Sequence, residues 1–131
     1  MVKKKKLSSY RIGKIRENQV ASFYEKLGFD VQLVTQTRFQ KQDFFNLFDF
    51  IAVNQKKGIE VWGQVKSNAC PNQVHKDIKN FKLCKDSVKT IWVYKHLKRG
   101  EYWEVVDFIY GNEVWRMVDM KGKTIAAEKR R

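Results

Sequence analysis

The sequence has no apolar run that would cross a membrane and no apolar segment typical of a secretory signal. A bilayer-spanning helix needs about 20 mostly apolar residues, and no stretch of that kind occurs. The basic run Lys3 to Lys6 leads into Leu7-Ser8-Ser9-Tyr10 rather than into an apolar segment, so no signal peptide is expected. We therefore expect an intracellular protein without a membrane partner, in the cytoplasm or nucleoid of a prokaryote or of a virus-infected cell.

Cysteine and proline are also scarce. Cys70 and Cys84 lack a CxxC motif and a histidine-rich partner set, so we expect reduced thiols and no zinc site. A single proline and the absence of repeats argue against long extended linkers. With 131 residues, of which 43% are hydrophobic, the chain is long enough for one domain with its own core and too short for two.

Acidic residues are few in comparison with basic ones. The chain has 27 Lys and Arg against 14 Asp and Glu, a net charge of +13, which indicates an acidic partner such as nucleic acid or an anionic membrane. Residues 1–9 form a basic arm, which is either a solvated tail or a contact for phosphates. We expect a single domain over 10–120, followed by a basic tail over 121–131.

Hydrophobic periodicity predicts an α/β domain. Helical spacing covers 10–27 with Gly28 as the stop, and strand patterns follow at 29–34, 48–53 and 59–67. A second helix is predicted over 72–85, with strands at 90–94 and 102–107 and a weaker strand pattern at 113–118. The order is α-β-β-β-α-β-β. Because a helix joins the third and fourth strands, that pair should be parallel in a mixed central sheet flanked by helices.

The second and third strands form a predicted hairpin that carries polar groups in apolar surroundings. Alternation places Gln64 and Lys66 next to each other on one face of the third strand. Asp49 lies in the middle of the second strand, in the run FDFIAV. A carboxylate, an amide oxygen and an amine together suit a site that attacks a phosphodiester through metal and water. The alternative is that Asp49 and Lys66 form a buried structural ion pair.

These motifs resemble the PD-(D/E)XK nuclease superfamily, and within it the small archaeal and phage Holliday-junction resolvases. Asp49 looks like the metal-binding aspartate of that family, and Gln64-Val65-Lys66 looks like its (D/E)-x-K element with glutamine in the first position. The resemblance covers about residues 11 to 107. It implies a restriction-endonuclease-like core and a metal-dependent DNA endonuclease, acting on branched DNA such as Holliday junctions, with a homodimer as the form that cuts symmetrically.

The resemblance also implies roles for individual residues. Mg²⁺ or Mn²⁺ would bind Asp49, the amide oxygen of Gln64 and the carbonyl of Val65, and Lys66 would polarise the attacking water. Glu17 in the first helix would supply a further carboxylate, and the alternative for Glu17 is a surface residue paired with a neighbour such as Lys14. A second function stays open at this point, namely a non-catalytic DNA-binding protein on the same fold, in which the glutamine marks the loss of a carboxylate.

Two groups of residues are candidates for binding the nucleic acid itself. One group lies in the polar segment 35–42 between the first two strands, which is either a loop or a strand extension. The other lies on the outer face of the second helix. The alternative for each group is a merely solvated surface, and for the helix face the net charge of +13 favours binding. The candidates are Arg38, Phe39, Lys41, His75, Lys76, Lys79 and Lys82.

Overall fold

The computed structural model describes residues 9–34, 36–37, 40–41, 43–45, 47–84 and 86–130. These residues form an α/β structure with two helices, one large mixed sheet and one small two-stranded sheet. The elements in chain order are α1 (Ser9–Lys26), β1 (Asp30–Leu33), β2 (Gln36–Thr37), β3 (Gln40–Lys41), β4 (Phe50–Asn54), β5 (Ile59–Ser67), α2 (Asn72–Asn80), β6 (Ser87–Leu97), β7 (Gly100–Ile109), β8 (Asn112–Val118) and β9 (Thr124–Arg130).

Helix α1 ends where the sequence predicts, at a glycine. Gly28 has a φ of +91°, a conformation that costs glycine little. The Gly28 N–H donates to the Glu25 carbonyl, and the Phe29 N–H donates to the Tyr24 carbonyl at 3.1 Å. These two bonds are those of a Schellman motif, which satisfies carbonyls that the end of a helix otherwise leaves unpaired.

The large sheet has seven strands in the order β1-β4-β5-β6-β7-β8-β9. All neighbouring strands are antiparallel except β5 and β6, which are parallel and joined by α2. The predicted mixed sheet and its parallel pair are therefore confirmed. The physical reason is that a helix between two strands returns the chain to the edge where the first strand began.

Each helix covers one face of the sheet. Beneath α1 lies an aromatic core, and its fully buried members include Phe50 and Trp103. Beneath α2 lies a smaller core around Phe48 and Ile78, both at 0% exposure. Gly63 in β5 leaves room for the Phe50 ring, which a Cβ at that position would strike. The two cores thus stabilise the sheet from opposite sides of β5.

The C-terminal segment differs from the prediction. Residues 121–131 are predicted to be a tail, but Thr124–Arg130 form β9 and pair with β8, where Met117 is opposite Ala126. The tail interpretation is wrong for this strand because its Ala, Glu, Lys and Arg residues have weak strand preference. Pairing with β8, rather than local sequence, satisfies its backbone groups.

Two other elements also differ in length or kind. Helix α2 ends at Asn80 rather than at residue 85. The segment predicted as a loop or strand extension contains the short pair β2 and β3, with Gln36 opposite Lys41. The remaining expectation for residues 1–8 concerns a part of the chain outside the described residues.

Neither of the two helices described has the length and apolarity that a bilayer-spanning helix requires.

Candidate functional site

The candidate site is built where β4 begins beside the second half of β5. Asp49 is the residue before β4 and is completely buried. Its backbone N–H donates to the Gly63 carbonyl at 2.7 Å, and its side-chain Oδ2 accepts the backbone N–H of Val65 at 2.8 Å. Asp49 thus lies just before the strand rather than in its middle, where the sequence placed it, and its carboxylate accepts a backbone N–H of β5.

The side-chain amide of Gln64 lies beside the same backbone N–H, that of Val65. It is 3% exposed, its Nε2 donates to the Leu47 carbonyl at 2.9 Å, and its Oε1 is 3.2 Å from the Val65 nitrogen. The Asp49 and Gln64 oxygens thus share one backbone donor. In a strand the N–H and C=O of one residue point to the same neighbour, so the Val65 carbonyl faces the Asp49 side as well.

Glu17 lies in α1 and points toward the sheet. It is 4% exposed and lies on the same helix face as Val20 and Tyr24, which pack on the sheet. Its neighbour Arg16 stacks on Tyr94, with the guanidinium carbon 3.4 Å from the ring centroid. The surface alternative for Glu17 is therefore wrong, because the side chain points inward.

Two contacts show where α1 crosses the sheet. Tyr94 is paired in register with Ser67 at the end of β5. Tyr24 packs on Phe50, which pairs with Gly63. Helix α1 thus crosses the last residues of β5 on the face to which Val65 points. Gln64 and Lys66, one residue to either side of Val65, point to the opposite face.

Lys66 lies on the α2 side of β5. It is half-buried, and its position near the start of α2 is marked by Cys70. Burial raises the pKa of the Cys70 thiol, and the positive charge of Lys66 opposes that change. Lys66 and Gln64 lie two residues apart on the same strand face, as the alternation predicts.

The ligand chemistry of these residues fits a hard cation. Mg²⁺ prefers oxygen ligands, and Asp49, Glu17, the Gln64 amide and the Val65 carbonyl all offer oxygen. Among the residues that the structure describes, no three His, Cys, Asp or Glu side chains form a metal-binding group. The site therefore has fewer carboxylates than an all-acidic one, as the glutamine at position 64 implies.

The structure describes some of the predicted nucleic-acid contacts and not others. Lys76, Lys79 and Lys82 are exposed on or just after α2. Arg38 and Phe39 lie outside the described residues, and for Lys41 only the backbone is described, in β3. Three predicted contacts are therefore exposed to solvent, and one of them, Lys79, lies 3.9 Å from Glu113 Oε1.

His75 is not on the outer face of α2, where the sequence placed it. Its ring stacks on Trp115 with centroids 5.8 Å apart, and its Nε2 is 2.5 Å from Glu113 Oε1. The sequence misses this contact because Glu113 and Trp115 belong to β8, which is distant in the chain. A cavity of about 190 Å³ is lined by His75 and Trp115, and also by Cys70 and Lys95.

Both thiols are free. Cys70 is half-buried and Cys84 is exposed, in agreement with the reduced thiols that the sequence predicts.

Comparisons with protein-family models, with curated proteins and with solved structures find no match.

Proposed function

We propose that this protein is a metal-dependent DNA endonuclease on a restriction-endonuclease-like core, with branched DNA as its substrate class. The observation that carries the proposal is the convergence of Asp49 Oδ2 and Gln64 Oε1 on the Val65 N–H, at 2.8 and 3.2 Å. A buried carboxylate costs free energy unless charge or hydrogen bonds compensate it. The burial of Asp49 at 0% and of Glu17 at 4% exposure supports a functional role for the two acids.

The strand order supports the same proposal. A helix, three antiparallel strands, a second helix and a strand parallel to the third occur in this order as α1, β1, β4, β5, α2 and β6. The small pair β2 and β3 lies between β1 and β4 in the chain and forms a separate sheet. The motif resemblance implies a core of this kind, so the order supports the proposal. The strands β7 to β9 extend the sheet beyond it and do not interrupt it.

Each residue of the site has a distinct task in the proposed reaction. Bound Mg²⁺ or Mn²⁺ would neutralise phosphate charge and lower the pKa of a coordinated water. Asp49, Glu17 and Gln64 would hold the ion through oxygen. The Lys66 ammonium, donor only, would orient the attacking water and stabilise negative charge that develops on the phosphate.

The basic surface supplies the affinity for DNA. The net charge is +13, and the exposed lysines of α2 follow the same sheet face as Lys66. Contacts between lysines and phosphates release counterions, so binding should weaken steeply as salt rises.

Two observations favour a second function, a DNA-binding protein without catalysis. The Gln64 amide is already engaged with the Leu47 carbonyl, and the described residues contain no three-member acidic or histidine group for a metal. In this alternative the oxygens of Asp49 and Gln64 only complete the backbone hydrogen bonds of β5.

The experiment that separates the two functions is a cleavage assay on linear, flapped and four-way DNA with Mg²⁺, Mn²⁺ or EDTA. Asp49→Asn and Lys66→Ala should each abolish cleavage and leave DNA binding within about tenfold of wild type, because neither residue is the main phosphate contact. The matched controls are Asp30→Asn, on the exposed edge strand, and Lys57→Ala, in the β4–β5 turn. Both controls should cleave normally.

The variant Gln64→Glu tests whether the site binds a metal ion. A carboxylate binds these cations more tightly than an amide does, so the variant should bind Mn²⁺ more tightly in calorimetry and keep or gain activity. If neither form binds metal at millimolar concentration with DNA present, and wild type cuts no substrate, the non-catalytic function replaces the proposed one. Cleavage by Lys66→Ala at the wild-type rate would place the active site elsewhere.

A further inference from the structure

The hairpin between β7 and β8 presents an exposed aromatic ring on a strained turn. Ile109 pairs with Asn112, so the turn itself contains only Tyr110 and Gly111. Their φ angles are +49° and +77°, the pattern of a type I′ turn, which normally takes Asn-Gly or Asp-Gly. A tyrosine at positive φ is unfavourable, yet its side chain is 78% exposed and gains little from packing. Such an outlier points to a function for the ring.

The Tyr110 ring borders a groove of about 460 Å³ at the end of α2. Lys79 and Lys82 line the groove and are exposed to solvent. Phe81 and Phe108 also line it. The groove thus combines cations with an aromatic ring that is free to stack.

The C-terminal end of α2 would repel an anion in the groove if Lys89 were absent. The last carbonyls of a helix carry partial negative charge, and here they lie at the groove. Lys89 Nζ donates to the carbonyls of Ile78, Lys79 and Phe81, each at 2.6 Å. The ammonium offsets this negative end of α2. The carboxylate nearest Lys79 is Glu113, at 3.9 Å, and it also contacts His75.

We propose that this groove binds single-stranded DNA, with one base stacked on Tyr110 and the adjoining phosphates on Lys79 and Lys82. Aromatic stacking combined with cationic contacts is how proteins hold single strands without reading sequence. A duplex keeps its bases stacked on one another, so its bases are not available to Tyr110. The inference goes beyond the proposed cleavage reaction, because the groove and the Asp49 site share no residue.

The groove and the candidate active site lie at opposite ends of α2. Ser87 and Lys89 at the groove pair with Glu60 and Trp62 of β5, four to six residues before Lys66. At about 3.3 Å per residue the separation is about 13–20 Å. The nine residues of α2 span about 13 Å between the two places. A single strand held on Tyr110 would therefore pass along the lysines of α2.

The test is fluorescence anisotropy with a labelled oligothymidine and with a duplex of the same length, in low salt with EDTA. Tyr110→Asn removes the ring and suits the positive φ better than tyrosine does, so the variant should fold. We expect its Kd for the single strand to rise at least about fivefold, while the Kd for the duplex stays within about twofold. Tyr110→Phe keeps the ring and should bind like wild type.

Charge variants complete the test. Lys79→Ala and Lys82→Ala should weaken single-strand binding and reduce its salt dependence, whereas Lys121→Ala, in the β8–β9 turn, should do so less. Single-strand binding by Tyr110→Asn at the wild-type Kd, or an equal loss for single strand and duplex, would overturn the inference. So would wild type that fails to bind the oligothymidine. Asp49→Asn, which tests cleavage, should bind the single strand like wild type, so the two proposals fail separately.

Discussion

The two faces of the central sheet are built differently, although each is covered by one helix. On the α1 face an 18-residue helix packs on an aromatic cluster. In this cluster the ring centroids of Trp92 and Trp103 are 5.8 Å apart. On the α2 face a nine-residue helix packs on fewer buried side chains, and a His75–Glu113 contact and a cavity interrupt the apolar surface. One face supplies most of the packing, and the other carries the polar and cationic groups.

The difference shows how a small domain can hold buried charges. Asp49 and Gln64 lie between the two cores, and their positions depend on β5, which both cores hold in place. A well-packed aromatic face fixes the strands. The opposite face can then keep cavities and exposed lysines, because the fold depends less on it.

The largest expected effect compares one tryptophan from each face. Trp103 is fully buried on the α1 face, so Trp103→Ala should lower the free energy of unfolding by about 3–5 kcal/mol. Trp115 is half-buried on the α2 face, and Trp115→Ala should cost about 1–2 kcal/mol. Urea denaturation followed by circular dichroism measures both. Equal losses would show that the two faces contribute alike.

The sequence was sufficient to predict the helices and strands whose apolar residues follow a clear period. Helix α1, β4, β5 and the parallel crossover follow from apolar spacing and from Gly28, so they could be predicted locally. Strand β9 could not, because its pairing depends on β8. The end of α2 could not be predicted either, since the residue at its last carbonyls, Lys89, comes from the next strand.

The candidate site shows the same limit. Alternation along β5 was enough to place Gln64 beside Lys66. The helical period left Glu17 at the edge of the apolar face, and only the structure shows that it is buried. The shared Val65 N–H and the Leu47 contact of Gln64 were not predictable, because they depend on where β4 begins relative to β5. Tyr110 was missed as well. Its only signal is a tyrosine before glycine between two strand patterns, and only the φ angle shows the strain.

A second prediction uses pH to test the burial of the α1 face. Burial, reinforced by the negative charge of Asp107, raises the pKa of Tyr24 to about 12. The ordinary value of about 10 applies in the unfolded chain. Below pH 10 both states are neutral, so the stability that Tyr24 contributes is fully present. Between about pH 10 and 12 the unfolded state loses its proton first, and about 2–3 kcal/mol is lost.

The measurement for Tyr24 is the difference between wild type and Tyr24→Phe in the free energy of unfolding at pH 9, 10 and 11. Lysines and other tyrosines titrate in both proteins, so the difference isolates Tyr24. The variant also removes the acceptor of the Trp92 Nε1 hydrogen bond, which is 3.2 Å long, and this adds an offset at every pH. A difference that does not change with pH would contradict the prediction.

The smallest expected effect concerns the α2 face, where one side chain holds the end of the helix. Lys89 Nζ is 2.6 Å from each of three carbonyls at the end of α2. Lys89→Met keeps the apolar stem and removes the charge, so we expect a loss of about 1–2 kcal/mol from the helix end and its hydrogen bonds. Hydrogen exchange of the α2 amides should accelerate more than exchange in α1, because α1 ends in its own Schellman motif. The matched control is Lys95→Met, which is half-buried on the same strand and borders the cavity near the start of α2, so it should leave exchange at the C-terminal end of α2 unchanged. If both variants changed α2 exchange equally, the stability of α2 would depend on the general charge of β6 rather than on the contacts of Lys89.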